Sequence, residues 1–220
     1  MNYQKIEQLT PEWWDLKVGK ISGTRYSQLI STRENSLLEE VVNELLDGYI
    51  QQDEFINDAM QFGTDNEPIA IDKYEIFSGM KFARGGVILS EYSKIHMASP
   101  DAVNLENGII VEVKSTMKGA TQIKRFLHGV ETDKIGQIVN YFAVSDAVKE
   151  VHWVSYCPFR KERELVVIKF TRDTIISQKE TKKNGIETVT VQDLVSIGRE
   201  KLTELEKEIK QTIENFTNTF

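Results

Sequence analysis

Cysteine is nearly absent: Cys157 stands alone in the chain. A lone cysteine leaves no internal disulfide framework and no thiolate cage for zinc or an iron–sulfur cluster. Beside Pro158, with no histidine next to it, it reads as packing rather than as a nucleophile. Histidine is scarce too: His96, His128 and His152 are scattered, with no pair at helix-ligand spacing, which argues against a histidine metal site. No apolar stretch approaches the ~18 residues needed to cross a bilayer. The opening Met1-Asn2-Tyr3-Gln4-Lys5 has none of the apolar run of a secretion signal. These absences make a soluble cytoplasmic protein the expectation. With no Pro/Ser/Gly-rich linker and no internal repeat, residues 1–220 are expected to form a single domain.

Of the residues present, 40% are apolar, enough for a sizeable core. Positive charge is in deficit, with a formal net charge of −7. Proteins that coat nucleic acid indiscriminately carry the opposite sign, because they work by displacing counterions from phosphates. DNA binding by this chain would therefore need a local basic channel in an acidic body. An acidic surface also suits solubility alone.

Ser36, with Glu39 three residues on, predicts a capped helix through Tyr49 with Leu37, Leu38, Val41, Val42, Leu45 and Leu46 on one face. A second helical region runs from about Glu54, is interrupted near Gly63, and resumes at Glu67-Pro68 as far as Phe77. Strands are expected at 80–89, 94–103 and 108–115, with Asn107-Gly108 as the turn between the last two. A helix over 134–148, strands at 151–156 and 164–170, and an amphipathic helix over about 192–217 follow. Strands flanked by helices make the fold class α/β (α+β).

The chemistry-bearing stretch is Ser99-Pro100-Asp101 with Glu112-Val113-Lys114. Side chains alternate along a strand, so Ile109, Val111 and Val113 point one way and Ile110, Glu112 and Lys114 the other. The turn before this strand can bring Asp101 beside Glu112. Phosphodiester hydrolysis asks for such a set. Two carboxylates can hold Mg²⁺, which prefers oxygen ligands; the ion stabilises charge and activates water; and a lysine can orient that water or neutralise the phosphate. A bare Glu-x-Lys on a strand is more often a solvated pair. Trp13 and Trp14, beside Leu16 and Val18, read as core, with base stacking the alternative.

The Pro-Asp … Glu-x-Lys pattern of Asp101, Glu112 and Lys114 resembles the PD-(D/E)xK nuclease superfamily. Further segments resemble its phage lambda exonuclease branch, the YqaJ-type viral recombinases. They are Thr10 to Thr24 with its Lys17-Val18-Gly19, Gly63 to Ala70 with Glu67-Pro68, Gly136 to Tyr141 with Gln137, and Tyr156-Cys157-Pro158-Phe159-Arg160. The ordered likeness spans about residues 10 to 172. It implies a restriction-endonuclease-like core, a central mixed β-sheet flanked by helices.

By that resemblance Asp101, Glu112 and the backbone carbonyl of Val113 ligate metal, and Lys114 serves the attacking water. Glu67 sits near a second ion and Gln137 bonds within the site. The resemblance implies Mg²⁺, with Mn²⁺ as a substitute and two ions per site. A basic residue and a hydroxyl that hold the 5′-phosphate fall on Lys17 and Thr24, with Ser22 as a competitor. Relatives carry arginine and serine there, and a lysine lacks the bidentate fork. The second glutamine of the later helix is replaced by Val139. Arg33 falls where the family places a loop near strand separation; Lys118, Lys124 and Arg125, in an expected loop after the catalytic strand, form a candidate basic lip for DNA phosphates.

The implied activity is 5′→3′ digestion of one strand at double-stranded DNA ends to 5′-mononucleotides. The remaining 3′ single strand would pass to an annealing protein, in the cytoplasm of a bacterial host of phage or prophage. A homotrimer ring is the implied assembly. A restriction or repair endonuclease, and a non-catalytic DNA-end binding module, stand as alternatives. Relatives with an iron–sulfur cluster need four cysteines and are excluded.

Overall fold

The computed structural model describes residues 1–31, 36–51, 57–180 and 186–218. A five-stranded sheet of order β2-β5-β6-β7-β8 is its centre. It consists of β2 (Ala83–Arg84), β5 (Ala102–Asn104), β6 (Ile109–Ser115), β7 (Glu150–Tyr156) and β8 (Leu165–Phe170). All neighbours are antiparallel except β6 and β7. A parallel pair needs a long crossover, supplied by α5 (Gly119–His128) and α6 (Ile135–Val144). The sheet is mixed and flanked by helices, as the family resemblance implies.

Two apolar layers hold this sheet. On one face Ile109, Val111, Val113, Val154 and Tyr156 meet Ala70, Ile71 and Tyr74 of α4 (Asp58–Ser78). On the other, Ile110, Val151 and Trp153 meet α6 together with α2 (Thr24–Ile30), α3 (Leu37–Asp47) and α7 (Val191–Asn218). The alternation read for β6 is thus present, but both of its faces are covered. Burial of Ile110 and Trp153 at 0% exposure fixes the register, since a one-residue slip would drive Glu112 into the wrong layer. The α7 stripe of Val195, Leu202, Leu205 and Ile209 packs within the same chain.

Several expectations are corrected. The strand expected at 80–89 is broken by Gly85 and Gly86, both at positive φ, into β2 and β3 (Val87–Leu89). The one expected at 94–103 is split by Ser99-Pro100-Asp101 into β4 (Met97–Ala98) and β5. Strands β3 and β4 join β1 (Asn2–Gln4) in a separate three-stranded sheet. The loop joining β5 to β6 spans four residues, 105–108, because Asn104 pairs with Ile109; only Gly108 takes positive φ. Gly63 and Pro68 do not interrupt α4, which runs unbroken for 21 residues. Pro68 deprives the Thr64 carbonyl of a partner, but burial of Ala70, Ile71 and Tyr74 holds the helix together. The expected start near Glu54 lies outside the described residues. The capping box at Ser36 and Glu39 does not form, the Ser36 hydroxyl going to Glu40. The segment carrying Lys118, Lys124 and Arg125 is not a loop but the N-cap and body of α5. Helix α1 (Pro11–Lys17) and the hairpin of β9 (Ile175–Glu180) and β10 (Ile186–Thr190) had no expectation.

Candidate active site

The site begins where a strand stops. β5 pairs Ala102 with Val111, so Asp101 comes opposite Glu112, the next position along. Pro100 before it has no N–H to extend the ladder. Beyond that point Val113 has no strand partner on the β5 side, and its N–H donates instead to Asp101 Oδ2 at 2.6 Å. A strand residue's N–H and C=O point to the same side. The Val113 carbonyl therefore faces the edge where Asp101 sits.

Glu112 is 1% exposed, and protein groups satisfy its carboxylate. Oε1 accepts from the Lys114 ammonium and from Gln137 Nε2 at 2.7 Å, while Oε2 accepts from the Tyr141 hydroxyl. Gln137 and Tyr141 lie one turn apart on α6 and share a face. Glu67 comes from α4, the helix on the opposite face of the sheet. Its carboxyl is pushed up by burial and then by the charge of Glu112, with Lys114 opposing. Asp101 is raised well above the usual carboxylate range, first by burial, then by Glu112 and Glu67. Burial pulls Lys114 down, but Glu112, Asp101 and Glu67 outweigh it and hold the ammonium above its ordinary range. The ammonium is therefore a donor and a counter-charge, not a base.

This donor set suits a hard divalent cation. Two carboxylates, one on β6 and one on the turn just before β5, and a backbone carbonyl offer oxygen only. Three acids share one ammonium, and the carboxyls of Asp101 and Glu67, raised first by burial and then by their acidic neighbours, sit where a dication would offset the charge. Among the described residues, no three His, Cys, Asp or Glu side chains gather closely enough to cage an ion alone. The Val113 carbonyl and water would have to complete the shell.

The residues expected to hold a phosphate also converge. Lys17, Ser22 and Thr24 line a cavity of about 370 Å³ whose wall includes Gln137 and Tyr141, so it adjoins Glu112. The Lys17 ammonium lies 4.4 Å from the Trp13 ring centroid and 5.0 Å from that of Trp14. Burial lowers its pKa, with Arg25 adding to the effect. Trp13 is buried, as its core reading requires, and its Nε1 donates to Ser99 Oγ at 3.1 Å. Arg25 lines the same cavity, but its guanidinium is held by the buried Glu44, with Nη1 to Oε2 at 2.9 Å.

The basic lip is only partly present. Lys118 and Lys124 are exposed on α5. Arg125 turns inward, donating to Glu131, to the Lys114 carbonyl and to Ser155 Oγ, with its guanidinium over Trp153. It is a strut beneath β6 rather than a free cation at the surface. Arg33 lies outside the described residues. Sequence reasoning included Tyr141 in the family-like helix but gave it no role at the site, although its position four residues after Gln137 was the available signal.

A strand ended at an aspartate, with a Glu-x-Lys on its neighbour and helices on both faces, defines the PD-(D/E)xK nuclease fold class. The chain matches the YqaJ-like viral recombinase domain over residues 12–212, and it belongs to that family. Similar solved structures include an alkaline exonuclease from Laribacter hongkongensis, at a TM-score of 0.77 and 22% identity over 96% of this chain and 97% of that one. That exonuclease in complex with dAMP matches at a TM-score of 0.72 and 21% identity, covering 96% and 100% of the two chains. A phage-related exonuclease from Haemophilus somnus 129PT matches at 0.57 and 13% identity, covering 90% and 96%. At these identities the likeness speaks for the fold. No curated protein matches the chain significantly. Among the described residues no helix is long and apolar enough to cross a membrane.

Proposed function

We propose that this protein is a DNA exonuclease that degrades one strand of duplex ends in the 5′→3′ direction. It releases 5′-mononucleotides and leaves a 3′ single strand for an annealing partner, in the cytoplasm of a bacterial cell hosting phage or prophage. The observation that carries this reading is the adjacency of the Asp101, Glu112 and Lys114 cluster to the cavity of Lys17, Ser22 and Thr24. A cutting centre and an anion seat separated by one glutamine and one tyrosine suit cleavage near a chain end.

In this reading Lys17, Ser22 and Thr24 hold the terminal phosphate and fix the register of the strand. Lys114, kept cationic by its acidic neighbours, donates to the water or to a phosphate oxygen and offsets charge as the reaction proceeds. Gln137 and Tyr141 hold the Glu112 carboxylate in place. Asp101, Glu112 and the Val113 carbonyl would hold Mg²⁺, or Mn²⁺ in its place, with Glu67 beside a second ion. When bound, the metal supplies Lewis acidity toward the phosphate and lowers the pKa of water. Lys118 and Lys124 meet backbone phosphates farther along the duplex. Three copies would form a ring around DNA, and a sizing measurement with and without duplex reads that assembly.

The test is nucleotide release from blunt, 5′-phosphorylated linear duplex with Mg²⁺, beside closed circular DNA. Wild type releases mononucleotides from the linear substrate only. Lys114→Ala loses about 100-fold or more, whereas Lys210→Ala, on an exposed stretch of α7, keeps the rate. No release, nicking of the circle, or equal rates for the two variants would overturn the reading.

A further inference from the structure

A histidine is costly to bury between a sheet and a helix, because both ring nitrogens then need partners. His152 of β7 is 0% exposed, and both of its nitrogens are engaged. Nε2 lies 2.6 Å from Glu150 Oε2, and Nδ1 lies 2.6 Å from the Tyr74 hydroxyl of α4. The bond to His152 holds the Glu150 carboxyl below its usual range, so it stays ionised and can only accept. Nε2 therefore carries the proton, and Nδ1 accepts from Tyr74. Burial lowers the pKa of His152 and keeps the ring in that neutral form.

This buried chain of bonds bears on Glu67. Glu67, Ala70, Ile71 and Tyr74 fall at i, i+3, i+4 and i+7, one stripe of α4. The buried members, Ala70, Ile71 and Tyr74, all follow Glu67. Ala70 and Ile71 belong to the apolar layer of Val111 and Val113, and apolar contact has no direction. It resists lifting of the helix but not sliding or turning, whereas a hydrogen bond fixes both length and angle. Asp72 with Arg84 and Lys73 with Glu164 also tether α4, but at the surface, where solvent weakens ion pairs. Tyr74 is the point at which the helix is pinned. Two turns, about 10 Å, separate it from Glu67. At the far end of the pin, His152 pairs in register with Val111, the residue before Glu112.

We propose that His152 and Tyr74 are positioning residues for the Glu67 carboxylate, fixing how far it stands from Glu112 across the cutting centre. The inference rests on the nuclease reading above, which gives Glu67 its place beside a second ion. Neither side chain meets the substrate; both act through the helix. Pro68 leaves the turn beside Glu67 one hydrogen bond short, so that turn depends on the pin for its place.

Tyr74→Phe tests this, since it removes one hydroxyl and leaves the ring against Phe82. On blunt, 5′-phosphorylated duplex with Mg²⁺, kcat falls about tenfold and KM stays within about twofold, the cost of a displacement of under about 1 Å. In a Glu67→Gln background the same substitution changes kcat by less than about twofold, because no carboxylate is left to misplace. Melting temperature falls equally in both backgrounds; a merely structural role would make the activity losses equal too. His152→Gln, whose amide can accept from Tyr74 and donate to Glu150, keeps kcat within about threefold of wild type, and His152→Leu loses as much as Tyr74→Phe. Equal losses of kcat in the two backgrounds, no loss in wild type, or equal losses for the two His152 variants overturn the proposal. Calorimetric titration with Mn²⁺, without DNA, separates it from the nuclease reading. There Tyr74→Phe weakens binding about tenfold in the wild-type background and not in the Glu67→Gln one. That pattern from a protein that releases no nucleotide keeps the positioning and rejects the nuclease reading; without it the positioning is rejected, whatever the nuclease assay gives.

Discussion

Asp101→Asn should make the protein more stable and inactive at once. In the site Glu67, Asp101 and Glu112 face a single ammonium, Lys114, so the fully ionised cluster carries a formal charge of −2. Removing the Asp101 charge abolishes two repulsions and one attraction. At an effective dielectric constant of about 20, one pair of unit charges a few ångströms apart is worth about 2–4 kcal/mol. The buried charge no longer has to be desolvated, and one net repulsion is relieved as well, so a gain of about 2 kcal/mol is expected as a lower bound. Asparagine keeps the shape, and its oxygen still accepts the Val113 N–H. For a chain of this length that gain raises Tm by about 4–8 °C. The sign follows from the raised carboxyl: the charged form is disfavoured in the fold, so its penalty is present at neutral pH and fades as pH falls through the folded pKa. The assay is thermal unfolding in EDTA, repeated with 10 mM Mg²⁺. A site of about millimolar affinity adds about 1.4 kcal/mol to wild type at that concentration. The variant, with a ligand missing, gains almost nothing. A lower Tm for the variant in EDTA, or the same Mg²⁺ increment for both proteins, would refute the electrostatic account of the site.

Two other outcomes follow from residues around the centre. Tyr141→Phe removes the hydroxyl that donates to Glu112 Oε2, and a side chain that orients a ligand carboxylate is worth about 10- to 100-fold in metal affinity or activity. Titration with Mn²⁺ followed by calorimetry should show that loss, and unchanged affinity would return Tyr141 to a packing role. His96 donates stability of opposite pH sense to Asp101. Burial lowers its pKa to about 4, despite the Asn140 bond that supports the charged form. A base with a depressed folded pKa contributes fully above its unfolded value near 6.5 and loses that contribution as pH falls toward 4. The stability difference between wild type and His96→Gln, read from urea midpoints, should therefore shrink by about 3 kcal/mol between pH 7 and pH 4. A difference independent of pH would contradict the buried neutral imidazole.

The part of the fold read best from sequence is β6, because alternation with period two survives even when both faces are buried. Ile109, Val111 and Val113 went to one layer and Ile110 to the other. That alternation also put Glu112 and Lys114 on one side, and the turn before the strand put Asp101 beside them. Punctuation misled where tertiary contacts overrode it. Gly63 and Pro68 look like a break, yet a helix anchored by Ala70, Ile71 and Tyr74 tolerates one lost hydrogen bond. Gly119 and Thr121 look like a loop, yet they open α5, whose Gln122 donates to the carbonyls of Ser155 and Glu164. Such long-range bonds, made with the strands that α5 crosses, leave no periodic trace in the local sequence.

Helix α6 shows why site residues can hide in a sequence. From Gly136 onward it is buried at every position but Gln137, so its apolar residues go all round and give no face to read. The polar positions are then the informative ones. Gln137, Asn140 and Tyr141 fall at i, i+3 and i+4, one stripe of a helix that otherwise lies in the core. Asn140 bonds His96 and the Met97 carbonyl, securing β4 just before the strand breaks. Gln137 and Tyr141 bond Glu112 where the next strand passes. One polar stripe therefore ties the Glu112 carboxylate to the strand end that delivers Asp101. A helix that served packing alone would have carried apolar residues at those three positions, because a buried polar group without partners costs more than it returns.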